Sequence, residues 1–181
     1  MTRDDALLLI SEYVKTVNLK KHMLATEAVM GALAEKLGED VPQWKLTGLL
    51  HDIDFDLTSK DPERHTLVAE EVLTKNGVQT DIIHAIKCHN DKAQMETKMD
   101  RALWTSDPVT GFIVAAALIH PQKKLSAIDA KFLLNRFSEK GFARGANRDQ
   151  MKGCELLGIS LEEFLGLSLS SMQKIAPDLG L

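Results

Sequence analysis

The stretch Gly48-Leu49-Leu50-His51-Asp52-Ile53-Asp54 places an imidazole beside a carboxylate where an apolar segment ends. Apolar residues recur here with the i, i+3, i+4, i+7 spacing of one helical face, at Leu46, Leu49, Leu50 and Ile53. The pair therefore stands at the edge of a packed helix. Burial of an unpaired carboxylate costs several kcal/mol, whereas a bound cation makes the same burial favourable. We interpret His51 and Asp52 as metal ligands.

Four further candidate ligands stand beside segments with helical periodicity: His22, His65, His89 and Asp107. Each of the three histidines aligns with an apolar stripe of its own segment, as His22 does with Ala25 and Val29. Such stripes face the core, so these imidazoles are expected to point inward. His84 lies off the stripe that contains His89 and is expected at the surface or behind the site.

Composition favours a single helical domain. The chain has 181 residues, enough to bury a sizeable core, and 44% of them are hydrophobic. Five prolines, one tyrosine and many good helix formers predict an all-α protein.

Charge and cysteine content restrict the partners and the compartment. A net charge of -4 gives no electrostatic reason to expect a nucleic-acid polymer. Cys88 and Cys154 have no CxxC spacing, which fits a reducing compartment, and Cys88 is interpreted as a small buried residue. No apolar stretch is judged long enough to span a membrane, and acidic residues occupy the N-terminus where a signal peptide is basic. We expect a cytoplasmic protein without a membrane partner.

The ordered set His22, His51-Asp52, His65, His89 and Asp107 resembles the HD superfamily of metal-dependent phosphohydrolases. More closely, the chain resembles the HDIG-type predicted hydrolases, through LHDID (50–54), IKCHND (86–91), DPVTGFI (107–113) and GFARGANR (141–148). The resemblance covers nearly the whole chain. It implies an HD-domain helical bundle over residues 1–181, with a metal-binding core at about 18–120 and a C-terminal helical extension at about 121–181.

The resemblance also implies a dinuclear metal site. One ion would be held by four residues: His22, His51, Asp52 and Asp107. Asp52 would bridge to a second ion held by His65 and His89. The number of candidate ligands agrees with two ions, because four imidazoles and two carboxylates exceed what one ion with an open coordination position needs. Nitrogen and oxygen ligands without thiolate suit Fe, Mn, Co, Ni or Zn, and Mg is compatible with the position that has fewer nitrogens.

The activity implied is hydrolysis of a phosphomonoester or phosphodiester, in a small nucleotide-like molecule, by a metal-activated hydroxide. Asp52 and Asp54 are the candidate catalytic residues. Lys92, Arg144 and Arg148 are the candidate substrate-binding residues. Related families often have a lysine soon after the His-Asp pair, and its absence here disfavours a lysine-assisted mechanism.

Residues 141–148 combine two glycines, two arginines and an asparagine, which is the chemistry of an anion-binding loop. A solvated turn between helices is the alternative interpretation.

Two other functions remain open at this stage. An HD-type di-iron oxygenase would use the same six ligands, and a non-catalytic module would sense a nucleotide or a metal. Gly-rich nucleotide-binding fingerprints are absent from the sequence.

Local patterns give three further expectations about structure. Residues 54–64 read as a loop, and residues 125–139 as one amphipathic helix. Helices at 95–106 and 112–119 would leave Asp107 between them, as a metal ligand or as an N-cap before Pro108.

Overall fold

The structure, a computed structural model, describes all 181 residues and contains helices but no strand, which confirms the all-α prediction. The α-helices are α1 (Arg3–Tyr13), α2 (Val17–Leu37), α3 (Val41–Leu50), α4 (Phe55–Thr58), α5 (Leu67–Lys75), α6 (Thr80–His89), α7 (Lys98–Ile119), α8 (Ala130–Phe137), α9 (Arg148–Lys152), α10 (Leu161–Lys174) and α11 (Ala176–Leu179). Short 3-10 helices occupy Pro62–Arg64, Leu125–Ala127 and Gly153–Leu157.

Helices α2, α3, α6 and α7 form the part of the bundle that carries the predicted ligands. Helix α2 packs along α3 and α7, while α6 packs against both α3 and α7. One continuous hydrophobic cluster joins this part to the C-terminal helices, because Phe112 of α7, Leu133 of α8 and Phe164 of α10 are all fully buried in it. The C-terminal helices therefore share the core of the ligand-bearing helices.

The turn between α2 and α3 follows the signals in the sequence. Gly38 ends α2 in the left-handed conformation with φ of 70°, where its lack of a Cβ avoids strain. Asp40 caps α3 by accepting a hydrogen bond from the Gln43 amide, and Pro42 lies in the first turn. This turn returns the chain so that His51 comes to lie against His22.

Helix α7 runs without interruption through Asp107 and Pro108, so the predicted break between residues 106 and 112 is wrong. Pro108 has no N–H for the carbonyl four residues back, a defect that costs about 3 kcal/mol in a helix interior. Packing offsets the defect, since Val109 and Phe112 are fully buried, and Thr97 forms a capping box with Asp100 at the helix start. Asp107 is therefore an interior helical residue and not an N-cap.

Two other segments depart from the sequence expectations. The predicted loop at residues 54–64 contains α4 and a 3-10 turn, because the Asp54 carbonyl accepts the amides of Leu57 and Thr58. The predicted helix at residues 125–139 is divided by extended backbone at Ile128, after which Asp129 caps α8.

Helix α7 is long and apolar enough to cross a membrane by length and composition, with a mean hydropathy of 1.5. The expectation that no such stretch exists is wrong on those two criteria. In this structure 56% of the most apolar 18-residue segment of α7 is buried inside the protein, and the helix carries Asp107. One such helix is weak evidence for a membrane span, because the core helix of a bundle has the same composition.

Gly48 is required where α3 crosses α2. A Cβ added at this position would lie 2.7 Å from the Thr26 backbone oxygen, a contact that side-chain rotation cannot relieve. Gly111, in the exposed part of α7, has nothing within 4 Å of the same added atom. The two helical glycines therefore form a matched pair.

We expect Gly48→Ala to lower the free energy of unfolding by about 1–3 kcal/mol, because overpacking must separate the two helices. Gly111→Ala should raise the free energy of unfolding by about 0.5–1 kcal/mol through its better helix propensity. Urea denaturation of both variants checks this. Wild-type stability in Gly48→Ala would contradict the close packing of α2 on α3.

Candidate metal centre

Five segments of the chain bring the six predicted ligands into one cluster. His22 lies on α2, His51 and Asp52 follow the end of α3, and His65 precedes α5. His89 ends α6, and Asp107 lies in the middle of α7.

The Asp52 carboxylate stands at the middle of this cluster. Its Oδ2 lies 3.5 Å from His22 Nε2 and 3.4 Å from His51 Nε2. Its Oδ1 lies 3.3 Å from His65 Nε2 and 3.5 Å from His89 Nε2. Each carboxylate oxygen therefore faces a separate pair of imidazoles.

Asp107 approaches only one of these two pairs. Its Oδ1 lies 3.1 Å from His22 Nε2 and 3.8 Å from His51 Nε2. The arrangement is accordingly asymmetric, with two imidazoles and the Asp107 carboxylate on one side of Asp52 and two imidazoles on the other.

Hydrogen bonds fix the tautomer of three of the histidines directly. His51 Nδ1 lies 2.9 Å from the Gly48 carbonyl, and His89 Nδ1 contacts the Ile86 carbonyl. His65 Nδ1 lies 2.8 Å from Asp54 Oδ1. Carbonyl and carboxylate oxygens only accept, so Nδ1 carries the proton in each ring, and Nε2 presents its lone pair to the cluster when the imidazole is neutral.

The tautomer of the fourth histidine, His22, follows from its contact with the Thr110 hydroxyl group. Thr110 Oγ1 donates to the Asp107 carbonyl at 3.1 Å, which uses its only hydrogen. With that hydrogen used there, Thr110 Oγ1 accepts the 2.8 Å contact from the ring, which assigns the ring proton to His22 Nδ1. His22 Nε2 is thus also directed at the cluster as a lone pair.

These contacts fit a divalent cation. His22 Nε2 and His51 Nε2 lie 3.1 Å apart, and with both Nδ1 atoms protonated their lone pairs repel unless a cation or a proton stands between them. His51 and Asp52 are buried, so water does not relieve this repulsion. Imidazole nitrogens with carboxylate oxygens form a donor set that binds divalent metal ions.

The pKa values of Asp52 and Asp107 show that both carboxylates are available as anionic ligands. Burial alone would raise the pKa of Asp52, but His51 and the hydrogen bonds from His65 and His89 hold it well below its usual range. Burial of Asp107 is likewise outweighed by His22 and His51, which lower its pKa. Both carboxylates are therefore ionised near neutral pH.

Asp54, one of the two predicted catalytic residues, lies behind His65. Its Oδ1 accepts from His65 Nδ1, and its Oδ2 accepts from the amides of Thr66 and Ala69 at 2.8 and 3.0 Å. The side chain is fully buried, and no oxygen remains free to reach a substrate. Its contacts make Asp54 a positioning residue for His65, which revises the catalytic role expected from the sequence.

The three predicted substrate-binding residues lie outside the metal cluster. Lys92 pairs with Glu63 at 2.9 Å. Arg148 donates to the carbonyls of residues 142, 143 and 146 and stacks over Phe112 at 4.7 Å, so its contacts brace the 141–148 loop, in place of the expected substrate binding. Arg144 is exposed and lines a neighbouring concavity with Lys140.

A cavity of about 690 Å³ opens over the cluster. Its walls are mostly polar and include Asn90, Asn147, Gln150 and Phe55 beside the ligands. Sequence reasoning assigned no role to Phe55, Asn90 or Gln150, and it considered Asn147 only as part of the candidate anion-binding loop at 141–148. Gln150 lies on α9 and Asn147 caps its start, about forty residues beyond Asp107, and no spacing rule indicates such a long-range approach.

An all-α bundle around a buried cluster of histidines and aspartates has the architecture of a metal-dependent hydrolase. The HD domain family matches residues 19–131, which is more than half of the chain. The chain therefore belongs to the HD superfamily of metal-dependent phosphohydrolases.

Curated relatives carry the name ribonuclease Y. That of Nitratidesulfovibrio vulgaris is 32% identical over 94 residues, which cover 52% of this chain and 18% of the relative. That of Salinispora arenicola is 33% identical over 94 residues, covering 52% and 16%. That of Desulfotalea psychrophila is 27% identical over 135 residues, covering 73% and 26%. The chain thus spans less than a third of the length of these relatives, and no solved structure matches it.

Asp54→Asn tests the positioning role. The amide replaces one acceptor oxygen with a donor, which leaves at least one buried N–H unpaired and frees the His65 ring to rotate. We expect the metal affinity of the site to fall about 10–100-fold and the free energy of unfolding to fall by about 1–3 kcal/mol. Metal titration by calorimetry and urea denaturation measure the two effects.

Asp61→Asn is the matched control, since Asp61 is exposed and its side chain caps nothing. It should match the wild-type protein in both measurements. Unchanged metal affinity in Asp54→Asn would contradict the assigned role.

His65 makes the free energy of unfolding of the metal-free protein depend on pH. Burial lowers its pKa, but the hydrogen bonds to Asp52 and Asp54 outweigh burial and raise it from 6.5 to about 9. The folded state thus holds a proton that the unfolded state releases, so the stabilisation is complete below pH 6.5 and is lost as pH rises to about 9. Urea denaturation with chelator present should show this loss, and His65→Gln should lack it. A wild-type stability that is flat over this range would contradict the assignment.

Proposed function

We propose that this HD hydrolase uses two divalent metal ions to cleave a phosphomonoester or phosphodiester in a small nucleotide-like molecule. The observation that supports it most strongly is the Asp52 carboxylate, whose two oxygens each face a separate pair of imidazole Nε2 atoms. A carboxylate in this position is suited to bridge two cations.

Two ligand sets divide the cluster in this proposal. The first ion is held by His22, His51, Asp52 and Asp107, and the second by His65, His89 and Asp52. The second set has fewer protein donors, which leaves more room for water and substrate oxygens. Iron, manganese, cobalt, nickel or zinc suits these donors, and magnesium is compatible with the oxygen-richer coordination that open positions allow.

The bound ions would polarise phosphoryl oxygens and lower the pKa of a coordinated water, which supplies a nucleophile near neutral pH. The contribution of the chain is preorganisation. Asp54 and Thr110 hold the rings of His65 and His22 through Nδ1, and the carbonyls of Gly48 and Ile86 hold those of His51 and His89. Rings held in this way need no reorganisation when a substrate arrives.

The cavity supports a small, polar substrate. A volume of about 690 Å³ lies within the range of roughly 300–1,000 Å³ that is usual for small-molecule sites. Among its wall residues only Leu19 and Phe55 are hydrophobic, while amide side chains of Asn90, Asn147 and Gln150 offer neutral donors for phosphate or sugar oxygens. We expect this substrate in the cytoplasm, with no membrane partner.

A second candidate substrate is RNA, which the names of the relatives favour. The concavity lined by Lys140 and Arg144 meets the metal cavity at Asn147 and could extend the site along a strand. The net charge of -4 weighs against a polymer with many phosphates.

Turnover tests the proposal. Protein loaded with Mn²⁺, Co²⁺, Ni²⁺ or Fe²⁺ is offered nucleoside monophosphates, cyclic nucleotides and an RNA oligonucleotide. We expect release of phosphate, or opening of a cyclic diester, from the small substrates. His65→Ala should lower kcat/KM at least about 100-fold, because a metal contributes several kcal/mol of charge stabilisation in the transition state.

His120→Ala is the control histidine, since its ring packs on Phe132 away from the cluster, and it should retain wild-type turnover. Cleavage of the oligonucleotide alone would favour the RNA function. No turnover of any substrate by protein that holds metal would contradict hydrolysis at this site.

A further inference from the structure

A second group of metal-ligating side chains lies outside the HD cluster. His84 and Cys88 are one turn apart on α6, and Asp100 lies in the first turn of α7. One donor atom from each of the three lies within 4.8 Å of the other two. None of the three contacts the six HD ligands through its side-chain hydrogen bonds.

The separations match those between ligands of one tetrahedral ion. Zinc binds imidazole nitrogen at about 2.0 Å and thiolate sulfur at about 2.3 Å, which places such donors about 3.3–3.5 Å apart. In the structure, His84 Nδ1 lies 3.4 Å from Asp100 Oδ1 and 3.6 Å from Cys88 Sγ. The nitrogen–oxygen distance is long for a hydrogen bond, and both distances are close to the edges of a coordination tetrahedron.

Asp100 has one oxygen free for this role. Its Oδ2 accepts the amides of Glu96 and Thr97 at 2.9 and 2.8 Å, which completes the cap of α7. Its Oδ1 faces only His84, although the side chain is 1% exposed. A buried carboxylate oxygen whose single partner is distant lacks the compensation that burial requires.

Cys88 and His84 complete the site and provide access to it. The Cys88 side chain is fully buried and unpaired with Cys154, and its Sγ lies 3.4 Å from the Gln94 carbonyl. The His84 side chain is 35% exposed, so an ion can enter from its side.

We propose that His84, Cys88 and Asp100 form a separate site for zinc or a similar borderline-soft divalent ion. Binding forms a bond from Cys88 Sγ to the metal, and the thiol proton passes to solvent. Solvent or the Gln94 carbonyl takes the fourth position. The thiolate favours zinc or cobalt over magnesium and manganese, and it distinguishes this site from the HD cluster, which contains no sulfur.

Cobalt titration of the 181-residue chain tests the proposal. A cobalt ion bound by thiolate gives a sulfur-to-cobalt charge-transfer band in the near ultraviolet, which the HD cluster cannot produce. We expect one equivalent of this band per chain, and competition by zinc. His84→Ala should weaken the cobalt affinity measured from the band about 100-fold or more, beyond the 10–100-fold typical of losing an outer partner. Cys88→Ser should abolish the band, because it removes the sulfur ligand.

Two controls isolate the signal. Cys154→Ser removes the other buried cysteine and should keep the band, while His22→Ala combined with His65→Ala should reduce binding at the HD cluster and also keep it. Circular dichroism establishes that each variant is folded. Absence of the band in the wild-type protein, its loss in Cys154→Ser, or its persistence in folded Cys88→Ser would overturn the proposal.

Discussion

The candidate metal centre depends on the convergence of four imidazole Nε2 atoms on one buried carboxylate, that of Asp52. Two Nε2 atoms face each of its oxygens, and the proton of each ring is held on the far side by an acceptor. Without a cation or protons, the neighbouring lone pairs and the two ionised carboxylates repel one another in a buried place. Metal binding and the packing of the bundle are therefore coupled.

Helix ends supply part of this arrangement. The last four carbonyls of a helix have no amide partner within the helix. Gly48 at the end of α3 and Ile86 at the end of α6 use theirs to accept from His51 and His89, each three residues further on. One hydrogen bond thus satisfies an otherwise unpaired carbonyl, fixes a tautomer and aims a ligand.

Composition predicted the helical class. Periodicity and the family resemblance together predicted the residues that converge, because a polar residue on a buried helical face needs a partner. The prediction from local sequence was wrong for α7. Pro108, a helix-breaking residue, favoured a break, but burial of residues such as Phe112 stabilises a continuous helix. Sequence reasoning also mistook Asp54 for a catalytic group, since nothing in the local pattern shows that Thr66 and Ala69 return to occupy its oxygens. Likewise, the basic loop at 141–148 suggested substrate binding, whereas Arg148 is used by the loop itself and by Phe112.

Anomalous diffraction from crystals of the manganese-loaded protein tests the central claim most directly, because it locates each ion without reference to activity. The account predicts two peaks at the HD cluster, one on each side of the Asp52 carboxylate. The first should contact His22, His51 and Asp107, and the second should contact His65 and His89. A single peak, or none near Asp52, would contradict the account of a carboxylate that bridges two ions.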